Sequence, residues 1–252
     1  MQETVQNPQL LRDRVILVTG TADSLGRAVA EACARHGATV VLSDLNQADI
    51  EPAYDVCEGA GSAQPAILPL DLEEAKTPDF IAAADTLGTE FGRLDGLVHC
   101  AGYAPYLSRI DDYDAVEWER VLRVNLTSPF LLTQACLPLL RAAADASVIF
   151  TADRVGRRGL AYWGAFAAAK FGIEGLMQTL AEELRDSSRV RVNSLDPGII
   201  RTGLRARLYP GEDPNHLAPA DSVTGLYVRL LNPDGEFGTG QALCAGDVVT
   251  QP

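Results

Sequence analysis

The sequence is poor in the residues that build metal centres and disulfide frameworks, with three histidines and five cysteines in 252 residues. His36, His99 and His216 stand at no metal-ligand spacing, so no metal is expected. His36 is expected to end a helix and His99 to finish a strand, both structural positions. The cysteines, at 33, 57, 100, 136 and 244, are odd in number and form no Cys-x-x-Cys pair. Reduced thiols in a cytosol are the expectation. Basic residues are also scarce, 21 against 34 acidic ones, for a net charge of −13. Such a chain repels phosphate backbones and anionic lipid, which argues against nucleic-acid and membrane-surface partners. No apolar run approaches the roughly 18 residues that a membrane span needs. The opening MQETVQNPQLLRD is polar, so no leader is expected and the predicted location is cytoplasmic.

Apolar residues make up 47% of the chain and charged ones 22%, a globular balance in a length suited to one α/β domain. Residues 1–11 are expected to be flexible, leaving 12–252 as the domain. Short apolar runs alternate with helical patterns throughout. Strands are predicted at 14–20, 38–44, 66–72, 94–102, 146–153, 189–198 and 240–246. Helices are predicted over 25–37, 76–91, 115–140 and 162–185. The runs are apolar throughout rather than alternating, as when helices cover both faces of a sheet. The prediction is a doubly wound, Rossmann-type parallel sheet in a single domain. An insert over 203–220, rich in proline, glycine and acid, is placed as a lid over a site.

In such sheets ligands bind at the carboxyl ends of the strands. The first strand runs into TGTADSLG, Thr19–Gly26, which then opens a helix. Glycines there permit a tight turn, and the helix N-terminus offers free N–H groups to a pyrophosphate. The second strand ends in Asp44, whose carboxylate suits the two ribose hydroxyls of NAD(H) and repels the 2′-phosphate of NADP(H). Asp23 adds to that repulsion.

With these motifs stand LDL (70–72), CAG (100–102), VNLTSPFLLTQA (124–135), VGRRG (155–159), WGAFAAAKFGIEGL (163–176) and DPGIIRT (196–202). Together they make the chain resemble a short-chain dehydrogenase/reductase over about 12–246, most similar to the YciK-like subgroup. The resemblance implies that Gly20, Leu25 and Gly26 form the pyrophosphate loop, with Ser24 in place of a middle glycine. Serine there is expected to weaken binding, by its Cβ and by strain if its φ is positive. Asp71 and Leu72 would meet adenine. Ala101 and Gly102 match the Asn-Ala-Gly turn, with Cys100 replacing its asparagine. Pro197, Gly198 and Thr202 would hold the nicotinamide end. An NAD(H) partner, an unidentified small molecule and a homodimer or homotetramer, paired through the 115–140 and 162–185 helices, follow from the same resemblance.

The family's catalytic set, as the resemblance implies it, is asparagine, serine, tyrosine and lysine. Asn125 and Lys170 match, but Phe166 occupies the tyrosine position and Asp153 the serine position. An alternative pattern, with tyrosine seven residues before the lysine, fails at Trp163. Hydride transfer to a carbonyl develops negative charge on oxygen that an acid must meet. Phenylalanine has no proton to give, and an ionised Asp153 would repel that oxygen. Asp153 is expected either to pair with Lys170 or to face solvent at the cleft mouth. The leading expectation is an oxidoreductase scaffold impaired in standard carbonyl and alcohol chemistry. The alternative is an active enzyme with Asp153, Tyr162 or Tyr103 as substitute acid; a changed reaction, such as a lyase or dehalogenase, is the weakest reading. Pocket walls are expected from 103–110, 154–163 and 203–220.

Overall fold

The computed structural model describes residues 9–61 and 64–248. Seven parallel strands form one sheet in the order β3-β2-β1-β4-β5-β6-β7. They are β1 (Val15–Thr19), β2 (Thr39–Ser43), β3 (Ala66–Ile67), β4 (Gly96–His99), β5 (Ala146–Thr151), β6 (Val190–Asp196) and β7 (Ala242–Cys244). β1 and β4 are buried along their whole length, as their unbroken apolar runs require. β3 is shorter than the predicted 66–72, because it lies at the sheet edge. Beyond it the chain still runs alongside β2: the Leu68 amide donates to the Leu42 carbonyl and the Leu70 amide to the Asp44 carbonyl.

Helices cover both faces. One face packs α1 (Ser24–Arg35), α2 (Gln47–Ala60) and α8 (Asp221–Leu231) against the sheet, around Ile16, Val29, Ile50 and Tyr227. The other packs α3 (Thr77–Phe91), α5 (Ser128–Ala142) and α6 (Gly164–Leu184), around Leu17, Phe80, Leu132 and Met177. A third cluster, at the carboxyl end of the sheet, joins α4 (Ala115–Leu122) and α7 (Gly203–Leu208) to Val155, Trp163 and Phe166. A short α9 (Ala245–Val248) follows β7.

Several expectations are corrected here. The N-terminal segment is not loose at its inner end: Leu11 is fully buried and its amide donates to the His36 carbonyl (2.9 Å). Residues 1–8 lie outside the described residues. The single helix expected over 115–140 is two, α4 and α5, joined by a π-helical turn at Arg123–Thr127. α2 and α8 were not anticipated. α2 begins on Asn46, whose side chain accepts from the Asp49 amide, and ends on Gly61 at φ 105°. The 203–220 insert holds α7, a short turn at Pro214–His216, and a bridge from Ile200 to Ala218.

Candidate functional site

The strand order reverses between β2-β1 and β4-β5, and a crevice opens there above the carboxyl ends. A cavity of about 110 Å³ occupies it. Of the residues anticipated from the sequence, Leu25, Ala101, Gly102, Asp153, Phe166, Lys170, Pro197, Gly198 and Thr202 line it.

The glycine loop forms one wall. Gly20 has φ 75° and sits under the Cys100–Ala101 turn, which a Cβ would strike at 2.6 Å. At Gly26 a Cβ would come within 2.1 Å of the Gly20 carbonyl oxygen, so only glycine lets α1 start this close to β1. The strain feared at Ser24 does not arise: among the described residues only Asp13 and Tyr162 combine a side chain with positive φ. Ser24 is the first residue of α1, and its hydroxyl donates to Asp23 Oδ1 (2.9 Å). Asp23 caps the Ser24 amide alone, so the next amides of the first turn stay free to meet an anion. Asp23 Oδ1 also accepts from the Gly203 amide (3.1 Å), tying the loop to the start of α7.

Asp44 does not line the cavity; it follows β2 beside the glycine loop. Its Oδ2 accepts from the Ala22 amide (2.8 Å) and its Oδ1 from the Leu45 amide (2.8 Å), which fixes its orientation beside the glycine loop. Asp71 follows the chain that pairs with Asp44, and its Oδ1 turns back to accept from the Glu73 amide (2.9 Å). The Leu72 carbonyl accepts from the Ser128 hydroxyl. Gly198, at φ 74°, is held by Asp196 Oδ1 (2.8 Å), and Thr202 caps α7. These groups fit a dinucleotide: a cradle only glycine can form, amides of the first turn of α1 left uncapped, and a carboxylate held beside the loop.

Asn125 sits in the π-helical turn and is buried. Its Oδ1 accepts from the Tyr103 amide (3.1 Å) while its Nδ2 donates to the Tyr103 carbonyl (2.6 Å) and the Val121 carbonyl (2.8 Å). It thus clamps the turn after β4 rather than facing the cavity. Lys170 is buried, and its Nζ donates to the Thr151 carbonyl (2.8 Å) from a position 5.3 Å from the centre of the Phe166 ring. Burial pushes its pKa down, with Asp153 the leading counter-charge. Asp153 makes no ion pair with Lys170 among the described residues. Its Oδ1 accepts from the Val155 amide (2.9 Å), and the half-buried carboxylate faces the cavity.

Phe166 is 4% exposed and its ring lies 5.6 Å from that of Trp163. Neither tyrosine offered as a substitute acid reaches the cavity. The clamp of Asn125 turns Tyr103 outward, where its hydroxyl donates to Glu117 (2.9 Å) and accepts from Arg120 (2.8 Å). Tyr162 is 56% exposed on a strained turn at φ 73°. Residues 103–110 do not line the cavity either.

The 203–220 insert walls the cavity as expected, but the sequence does not single out Arg205 and Tyr209 within it. Both line the cavity from the 203–220 insert, the Tyr209 ring 6.3 Å from Trp163. Arg205 lies over that ring (4.7 Å) and is gripped by both carboxylate oxygens of Glu212 (2.6 and 2.7 Å). A helix as short as α7 leaves no periodicity to mark them in a sequence. The cavity floor holds Cys100, whose thiol burial keeps protonated, at a pKa of about 12. His99 behind it stacks on Phe150 (4.9 Å) and burial pushes its pKa down to about 3, which agrees with its structural assignment.

Known proteins share both the pattern and the fold. Residues 14–213 match the short chain dehydrogenase family. The uncharacterized oxidoreductase YciK of Escherichia coli K12 is 39% identical, over 94% of this chain and 93% of its own. A protein from Pseudomonas syringae, described as a short chain dehydrogenase, superposes with a TM-score of 0.92 at 44% identity, covering 94% of this chain and 96% of its own. One from Shigella flexneri, complexed with NADP, does so at 0.91 and 38% identity, covering 95% and 99%. The crevice at the strand reversal, the glycine cradle and these matches together place the chain in the short-chain dehydrogenase/reductase family.

Proposed function

We propose that this protein binds NAD(H) in preference to NADP(H) and is impaired in standard carbonyl and alcohol redox chemistry. The bound dinucleotide supplies or accepts the hydride. The chain's own residues hold it: the first turn of α1 meets the pyrophosphate, Asp44 the adenosine ribose, Asp71 and Leu72 the adenine, and Lys170 the nicotinamide ribose. The single observation behind the impairment is the Phe166 ring, 5.3 Å from the Lys170 ammonium where a phenol is needed. A carbonyl oxygen there gains negative charge with no proton donor from α6, beside the Asp153 carboxylate. Losing such an acid costs roughly 10²–10⁴ in rate. With cofactor bound, diacetyl turnover at an ordinary family rate would end this reading. A second reading has one supporting observation: Tyr209 places a phenol in the cavity wall. If that hydroxyl donates, Tyr209→Phe abolishes whatever diacetyl reduction the wild type shows.

The coenzyme preference rests on Asp44. Two backbone amides hold its charge at the ribose end of the crevice, where a 2′-phosphate would meet a fixed anion. The Shigella flexneri relative is complexed with NADP, so this chain is proposed to differ from it. NADH is expected to bind at least about tenfold more tightly than NADPH, a difference of about 1.4 kcal/mol. Asp44→Asn, which keeps the oxygen that orients the loop, should erase most of that gap in a fluorescence titration. Equal wild-type affinities would refute the assignment.

A homodimer or homotetramer and a cytoplasmic location complete the proposal. Support for assembly comes from exposed apolar side chains on the relevant helices, Phe130 (41%) on α5 and Phe171 (47%) on α6.

A further inference from the structure

We propose that the cavity selects a small cationic substrate, a cyclic iminium, and reduces it to an amine. This rests on the reading above, that the site holds a nicotinamide dinucleotide and lacks the usual acid.

Three features converge. First, the walls are aromatic: Trp163 stands between Phe166 (5.6 Å) and Tyr209 (6.3 Å), tilted 51° and 44° to them. Ring faces attract cations, most strongly where water is excluded. Second, a carboxylate stands where the family's serine would meet a substrate oxygen. Asp153 Oδ1 is held by the Val155 amide, and its Oδ2 has no partner among the described residues. The cations already present make no hydrogen bond to it, although Asp153 is the leading counter-charge to Lys170. Lys170 donates to the Thr151 carbonyl, and Arg205 is neutralised by Glu212. Third, the missing phenol is no defect for this reaction.

The electron count shows why. A C–H bond of the reduced dinucleotide breaks with its electron pair, and a C–H bond forms at the iminium carbon. The C=N π pair becomes the nitrogen lone pair, and the dinucleotide leaves oxidised. No proton is needed in the step, because the positive charge on nitrogen is discharged rather than a negative one created on oxygen. The amine takes its proton from water afterwards. Phenylalanine at 166 and aspartate at 153 thus fit one substrate class, whereas each opposes a neutral ketone.

N-methylpyrrolinium and cyclopentanone have similar five-membered rings and differ in charge, so they form the test pair. With NADH, the iminium is expected to show a kcat/KM at least about a hundredfold above the ketone, the gain of dispensing with an absent acid. Binding is read separately by calorimetry with N,N-dimethylpyrrolidinium, which cannot be reduced. It should bind wild type about tenfold or more tightly than Asp153→Asn, and Asp153→Ser should match the asparagine variant, since both keep an oxygen for the Val155 amide. Equal binding to wild type and both variants overturns the proposal, and so does equal turnover of the two rings. Should NADH itself fail to bind, the cofactor reading falls, and titration of the ammonium into the free protein still decides whether the cavity recognises cations.

Discussion

Diacetyl reduction by the double variant Phe166→Tyr, Asp153→Ser is expected to exceed the wild-type rate by about 10²–10⁴-fold. A tyrosine at 166 sits one helical turn before Lys170 on α6, so its hydroxyl extends from a ring already lining the cavity. Lys170 is in place to favour the phenolate, with its ammonium 5.3 Å from that ring. Serine at 153 removes the anion that repels a developing alkoxide, and its oxygen can still accept from the Val155 amide that Asp153 now holds. Each single change should do much less: tyrosine alone leaves the carboxylate, and serine alone leaves no acid. Initial rates at saturating NADH measure this directly. Unchanged NADH affinity with no gain in rate would show that the defect lies outside positions 153 and 166.

What the sequence revealed depended on how each feature is encoded. The strands were legible because both faces are buried, and continuous apolar runs such as VILVT leave no other reading. β3 was overrun because apolar character persisted past Ile67, where only edge hydrogen bonds continue. α2 was hidden by Pro52 within it and by a buried face limited to Ile50, Ala53 and Cys57. The glycine loop could be placed from spacing, yet the harmless backbone of Ser24 could not, since φ depends on where α1 begins. Tyr103 was expected near the cavity because it follows the CAG turn. Asn125, distant in sequence, turns it toward Glu117 instead. Arg205 lies in the six-residue α7 and Tyr209 at its C-terminal end, too short a helix to carry a periodic signature.

The sequence also hides a buried charge cluster on α6, and its loss should cost stability heavily. Glu174, on α6, is buried, with its side chain 8% exposed. Its Oε1 accepts from Arg157 Nε (2.9 Å), and its Oε2 accepts from the Ser194 hydroxyl on β6 (2.7 Å). Arg157 continues to the Leu243 carbonyl on β7 (2.9 Å). The cluster therefore pins the turn carrying Asp153 to α6 and to two strands at the sheet's far edge. Glu174→Ala strands a guanidinium that is only 30% exposed and leaves a cavity, which should cost about 3 kcal/mol. Glu174→Gln keeps one acceptor oxygen for Arg157 and turns its NH2 toward the Ser194 hydroxyl, which must then accept, and it removes the charge; it should lose roughly half as much. Denaturant unfolding gives both numbers. Because the turn at 154–156 packs Gly156 against Lys170, where a Cβ would fall 2.7 Å from the lysine's backbone, the alanine variant should also weaken NADH binding. A stability loss below about 1 kcal/mol would mean that water reaches Arg157 readily and that the turn is held by its backbone alone.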